Sequence, residues 1–174
     1  MRRLILAGML VALLAAPGCR YKRKPRERAP INDGEPVSLL NVADPRAEFQ
    51  LTRGFWTVEG GAWRWTMKNF TVTLRPPAGS AQKGATLELK FNIPDVMFNR
   101  VGAMTLDAHI NGVDLGPQKY PSAGEFVYRR DVPAAQLGAA AVAIDFSVDK
   151  GLPPSHQDTR ELAVIVSSIG LLPK

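Results

Sequence analysis

The stretch Ala62–Leu74, AWRWTMKNFTVTL, carries two apolar sets in opposite phase. Trp63, Trp65 and Met67 stand at odd positions, and Phe70, Val72 and Leu74 at even ones. Side chains of a strand alternate between its two faces, so one continuous strand cannot turn both sets to the same face. Either the chain turns or bulges near Lys68-Asn69, or the two tryptophans look outward as a binding platform. A break at Met67–Asn69 is the expected solution. It lets Trp65 and Phe70 both face a core, and Asn69 tolerates a positive φ. Any ligand patch then lies beside this stretch, nearer Trp56 and Glu59.

The neighbouring segments read as half-buried strands. TLELKFN (Thr86–Asn92), AMTLDAHI (Ala103–Ile110) and VAIDFSV (Val142–Val148) each alternate apolar and polar residues. Antiparallel sheets with one solvated face give this pattern, whereas strands covered on both faces read as continuous apolar runs. LAVIV (Leu162–Val166) is closer to such a run and predicts a central, doubly covered strand. Asn111-Gly112 ahead of VDL predicts a two-residue hairpin turn with both residues at positive φ. Proline-rich segments after Leu74 and at Gly151–Pro154 end strands, and Pro133–Leu137 suits one helical turn. No segment past the first residues shows a sustained helical period. About eight short strands separated by turns predict an all-β fold, an antiparallel, jelly-roll-like β-sandwich.

The chain of 174 residues opens MRRLILAGMLVALLAAPGC. Two arginines, 13 apolar residues over Leu4–Ala16 and then small residues have the layout of a secretory signal peptide. The run is shorter than the ~20 apolar residues of a spanning helix. Ala16-Pro17-Gly18-Cys19 resembles the lipobox of bacterial lipoproteins, although Leu is usual where Ala16 stands. The resemblance implies cleavage before Cys19 and lipidation of that cysteine. Cys19 is the single cysteine, so it has no internal disulfide partner, and lipidation would remove a reactive thiol from an oxidising compartment. Arg20, in place of the Asp of the inner-membrane sorting pattern, implies the outer membrane. Residues 1–18 are thus expected to be a leader, 19–46 a basic tether and domain entry, and 47–174 the sandwich.

Charge supports this division. Whole-chain totals of 22 basic and 16 acidic residues give +6. Eight basic residues and one acidic residue fall within the first thirty, leaving 14 against 15, or near −1, for the remainder. The excess belongs to leader and tether, where it suits anionic headgroups. It is no sign of a nucleic-acid-binding domain.

The segments GFWTVEGGAWRWT, TLELKF, HINGVDL and DTRELAVIVSSIGL occur in an order that resembles a bacterial β-sandwich module. That module accompanies sugar-transferring enzymes and cell-surface proteins and has a carbohydrate-binding-like architecture. The resemblance spans roughly Ala47–Leu171 and bears on fold more than on activity.

Catalysis is not expected. His109 and His156 lack a second histidine at metal-ligand spacing, and neither a G-x-S-x-G elbow nor a phosphate-cradling glycine loop occurs. No metal or other cofactor is expected either. Sugars are held by aromatic faces, with carboxylates, Arg and Asn bonding the hydroxyls. The candidate ligand residues of that kind are Trp56, Glu59, Trp63, Arg64, Asp158 and Arg160. Core packing of the tryptophans and a structural ion-pair network are the competing roles. Arg64 is expected to pair with Asp158 or Glu59, tying early strands to the last one. The expected function is a non-catalytic, membrane-tethered module binding carbohydrate or polysaccharide in the cell envelope. The alternative is a structural lipoprotein docking another envelope protein.

Overall fold

Trp63–Leu74 forms one twelve-residue strand, and the expected break at Met67–Asn69 does not occur. The computed structural model describes Gly34–Lys174. The leader, Cys19 and most of the basic tether lie outside the described residues. Within them are ten strands: β1 (Leu39–Asn41), β2 (Arg53–Glu59), β3 (Trp63–Leu74), β4 (Ala85–Ile93), β5 (Met104–Ile110), β6 (Val113–Asp114), β7 (Gln118–Tyr120), β8 (Gly124–Val132), β9 (Val142–Val148) and β10 (Ile165–Pro173). Every pairing is antiparallel. The main ladder runs β6-β5-β9-β3-β10-β4-β8, with β1 on β10, β2 on β3 and β7 on β5.

Strand β3 belongs to both layers of the sandwich. Its first half pairs with β10 through Arg64↔Val166 and Trp65↔Ile165, and its second half pairs with β9 from Asn69↔Ser147 to Leu74↔Val142. One layer is therefore β10-β4-β8 with the start of β3, and the other is β5-β9 with the end of β3. The apolar faces meet between them. Leu87, Leu89, Phe91 and Ile93 of β4 are buried against Met104, Leu106, Ala108 and Ile110 of β5 and the even residues Val142–Val148 of β9 in one continuous core. Rings lock the contact: Phe70 stacks on Phe146 at 4.9 Å, and Phe91 meets Tyr120 edge-on at 4.9 Å. Such pairs add to the burial of their area.

The phase conflict resolves without a turn. Directly opposed residues of antiparallel strands share a face. Phe70↔Phe146 and Val72↔Ile144 point into the core, and Arg64↔Val166↔Phe91 continue the same inner face. Trp65↔Ile165↔Asn92↔Glu125 mark the outer face. Alternation is thus unbroken, and the even positions of β3 face inward along its length. What changes is which face is covered. In the first half the inner positions are Arg64 and Thr66, and the tryptophans look outward. Trp65 is nonetheless only 8 % exposed, because the segment around Leu152–Leu162 lies over it.

The irregularity falls on β2 instead. Register shifts occur between Arg53 and Phe55 and between Phe55 and Val58. Gly54, at φ 76, reverses the face: Arg53 reaches Asp145 outside, while Phe55 packs edge-on against Phe70 at 5.3 Å inside. A Cβ on Gly54 would stand 2.2 Å from the Asn69 carbonyl oxygen. Only glycine satisfies both the backbone angle and the approach.

Several smaller expectations hold. The Asn111-Gly112 turn has φ of 49 and 79, and Ala134–Gln136 is a single 3-10 turn behind Pro133. Others are corrected. Two short helices interrupt the strands, α1 (Ser80–Lys83) and α2 (Asp95–Val101); neither is long enough to display a helical period. Leu162–Val164 are buried, but the ladder of β10 begins only at Ile165. Strand β1 lies in the stretch read as domain entry, with Leu40 and Val42 buried. No helix among the described residues is long and apolar enough to cross a membrane.

Candidate ligand-binding face

Four of the predicted residues converge. Arg160 donates to both Asp158 oxygens through Nε and Nη2, and its Nη1 donates to Glu59 of β2. Its guanidinium lies 5.9 Å from the ring centroid of Trp56. The Trp56 indole N–H donates to the Glu161 carbonyl at 2.8 Å, and Glu161 Oε1 accepts from Lys68 N–H at 2.8 Å. Arg160 fastens the loop ahead of β10 to β2 through a planar, forked donor set that suits carboxylates. The effect on Asp158 is plain: hydrogen bonds from the Arg160 side chain and then its backbone N–H pull that carboxyl down to about 2, and the Arg160 guanidinium is correspondingly held further into its charged form.

Arg64 is not part of this group. Its partners are the Val42 carbonyl at 2.8 Å, the Trp56 carbonyl at 3.1 Å and the Glu48 carboxylate. The expected pairing with Asp158 or Glu59 is therefore replaced by Glu48. The reason is the face: Arg64 points inward, whereas Glu59, Asp158 and Arg160 lie outward with the tryptophans. At 5 % exposure, Arg64 fills the junction where β10 exchanges β1 for β3 as its neighbour. It supplies donors to backbone carbonyls left there without strand partners.

Trp63 lies on the outer face opposite Glu59. It borders a depression of about 620 Å³ with Ile165, Ser167, Lys90, Asn92, Glu125 and Val127. Its lining combines apolar and polar side chains. Unlike that of Trp56, the Trp63 indole N–H has no hydrogen bond among the described residues, and the same is true of the Asn92 amide and the Glu125 carboxylate. Lys90 Nζ lies 3.4 Å from Glu88, which also holds Arg129 at 2.6 Å. Burial raises the Glu88 carboxyl, but Arg129 and Lys90 outweigh it and the net shift is downward. Glu88 stays ionised and keeps the Lys90 ammonium beside the depression. Trp63 and Trp65 meet edge-on at 6.4 Å. Trp65 in turn borders a smaller hollow of about 270 Å³ with Arg100, Leu152, Asp158 and Arg160.

Lys90, Asn92, Glu125 and Ile165 were not among the predicted site residues. The signal was present in TLELKFN, whose polar positions were read as a solvated face. What sequence could not show is that β3 brings Trp63 onto that same face two strands away.

No protein-family model matches the sequence. No curated protein matches it either. Among solved structures the chain is similar to an exo-β-1,3-galactanase from Phanerochaete chrysosporium with β-1,3-galactotriose, at 10% identity and a TM-score of 0.42. The match covers 79% of this chain and 29% of the galactanase chain, so the protein spans under a third of that enzyme. A CBM36-1 domain of a multidomain xylanase from the hindgut metagenome of Trinervitermes trinervoides is 10% identical with a TM-score of 0.42, over 78% of this chain and 96% of that one. A CBM4 structure is 11% identical with a TM-score of 0.36, over 78% and 85%.

Proposed function

We propose that the protein is a non-catalytic binding module of the bacterial cell envelope that holds carbohydrate on the outer face around Trp63. The observation that carries this reading is the surround of Trp63: an aromatic ring on the solvent side of the sheet, with its N–H, the Asn92 amide and the Glu125 carboxylate beside it, all without a hydrogen bond among the described residues. Stacking on the indole suits the C–H face of a sugar ring, and convergent polar groups suit its hydroxyls. Among the described residues Glu125 is the one carboxylate lining the depression. Glycoside hydrolysis ordinarily takes a pair of carboxyl groups flanking the bond, which favours recognition over cleavage. Export and anchoring through lipidated Cys19 at the outer membrane complete the proposal, on the strength of the leader and the lipobox-like Ala16–Cys19.

Probing a microarray of cell-wall and storage polysaccharide fragments with the purified protein tests the proposal. Saturable binding to one glycan class, competed by the same glycan in solution, is the expected result. Silence across the array would overturn it.

A further inference from the structure

The hairpin of β5 and β6 gathers three metal-ligating side chains in the layer opposite Trp63. His109 is the direct register partner of Asp114, and Asp107 precedes His109 by two residues on the same face of β5. One donor atom from each lies within 4.8 Å of the other two, and His109 Nε2 is 4.0 Å from Asp107 Oδ2. We propose that Asp107, His109 and Asp114 bind a divalent transition-metal ion.

Charge compensation is the first support. Asp44, Asp145 and Asp158 each hold an arginine, yet no Lys or Arg among the described residues pairs with Asp107 or Asp114. Arg130, packed 4.4 Å over the Tyr128 ring, directs its N–H groups to Gly116, Gln118, Arg129 and Pro117. The two carboxylates and the imidazole therefore converge without a Lys or Arg paired to them, an arrangement that suits a bound cation. Each carboxylate also keeps an oxygen in reserve. Asp107 Oδ1 accepts from Ala108 N–H at 2.8 Å and Asp114 Oδ1 from Gly116 N–H at 2.6 Å, so among the described residues neither Oδ2 has a hydrogen bond, and that of Asp107 lies 4.0 Å from His109 Nε2.

The donor set decides the class of ion. One imidazole with two carboxylates suits zinc, cobalt, nickel or copper; calcium and magnesium take six or more oxygens. Bonds of about 2.0–2.2 Å in a tetrahedron place donor atoms roughly 3.4 Å apart. From their present separation of up to 4.8 Å the three donors would have to draw in by rotation of the side chains, with water completing the shell. Asp114 stands across the hairpin from His109, so spacing along the sequence does not display the cluster.

The chain holds two histidines and one cysteine, so the site can be assigned unambiguously. Calorimetric titration of the full chain with Zn²⁺ should give one ion per chain. His109→Gln and Asp114→Asn should each weaken it by about tenfold or more, while His156→Ala and Cys19→Ser leave it unchanged. Zinc should raise the melting temperature of the wild-type protein but not of the His109→Gln variant, which controls for a variant that is merely less stable. No zinc uptake, or uptake that His156→Ala abolishes and His109→Gln does not, would overturn the proposal. Binding here is independent of any glycan, so its failure would leave the Trp63 site untouched.

Discussion

Arg64 and Arg160 show how one residue type serves two ends. Arg64 is buried, and two of its three partners are main-chain carbonyls. Replacing it with Met keeps the stem but strands those acceptors, each worth about 1–3 kcal/mol when left unsatisfied. Urea unfolding of Arg64→Met should therefore show a loss of roughly 2–6 kcal/mol. Glu48→Gln should cost less than Arg64→Met, because the Glu48 side chain is 70% exposed and an amide oxygen in its place still accepts from the buried Arg64. Equal losses would mean that the ion pair, and not the carbonyls, is what Arg64 secures. Arg160 acts at the surface. With its carboxyl at about 2, against an ordinary value of 3.8, Asp158 favours the folded loop above about pH 4 and loses that contribution as pH falls through 2. The Asp158 carboxyl resonance should titrate near 2 in the wild type and near 4 in Arg160→Ala. An unchanged midpoint in the variant would contradict the fork.

At the scale of elements, β2 absorbs the irregularity that the sequence seemed to place in β3. Gly54→Ala forces a side chain into the left-handed region and against the Asn69 carbonyl, so we expect destabilisation of at least about 2 kcal/mol by chemical unfolding. A neutral substitution would mean that the β2 reversal is not required. The strands of Thr86–Asn92, Ala103–Ile110 and Val142–Val148 were legible because each has a single solvated face, and the Asn-Gly turn because positive φ restricts its residues. Strand β3 was misread because periodicity reports which residues are apolar, not which face is covered. Its outer face is shielded at Trp65 by a loop some ninety residues later, and no local pattern encodes that cover. For the same reason, Arg64 was grouped with Glu59, Asp158 and Arg160 when alternation puts it on the opposite side. The short α2 stayed hidden because about two turns cannot establish a helical period.

For the whole molecule, the two halves of β3 divide the labour between interior and surface. The even residues close the core between layers, and the odd residues at its start form the outer face on which the proposed site lies. The basic tether and lipobox-like Cys19 would hold that face at a membrane surface. Cys19→Ser should move the protein from membrane to soluble fractions, and unchanged fractionation would remove the anchor from the account. Candidate residues were legible as a cluster, but their roles were not: Trp56 has its indole N–H engaged by a main-chain carbonyl, whereas that of Trp63 remains unpaired. The most direct test is the retardation of wild type, Trp63→Ala and Trp56→Ala in gels containing the polysaccharide selected by the array. Trp63→Ala should lose retardation while keeping the wild-type circular dichroism spectrum, and Trp56→Ala should remain retarded. Full retardation of Trp63→Ala would contradict a glycan site on the outer face of β3.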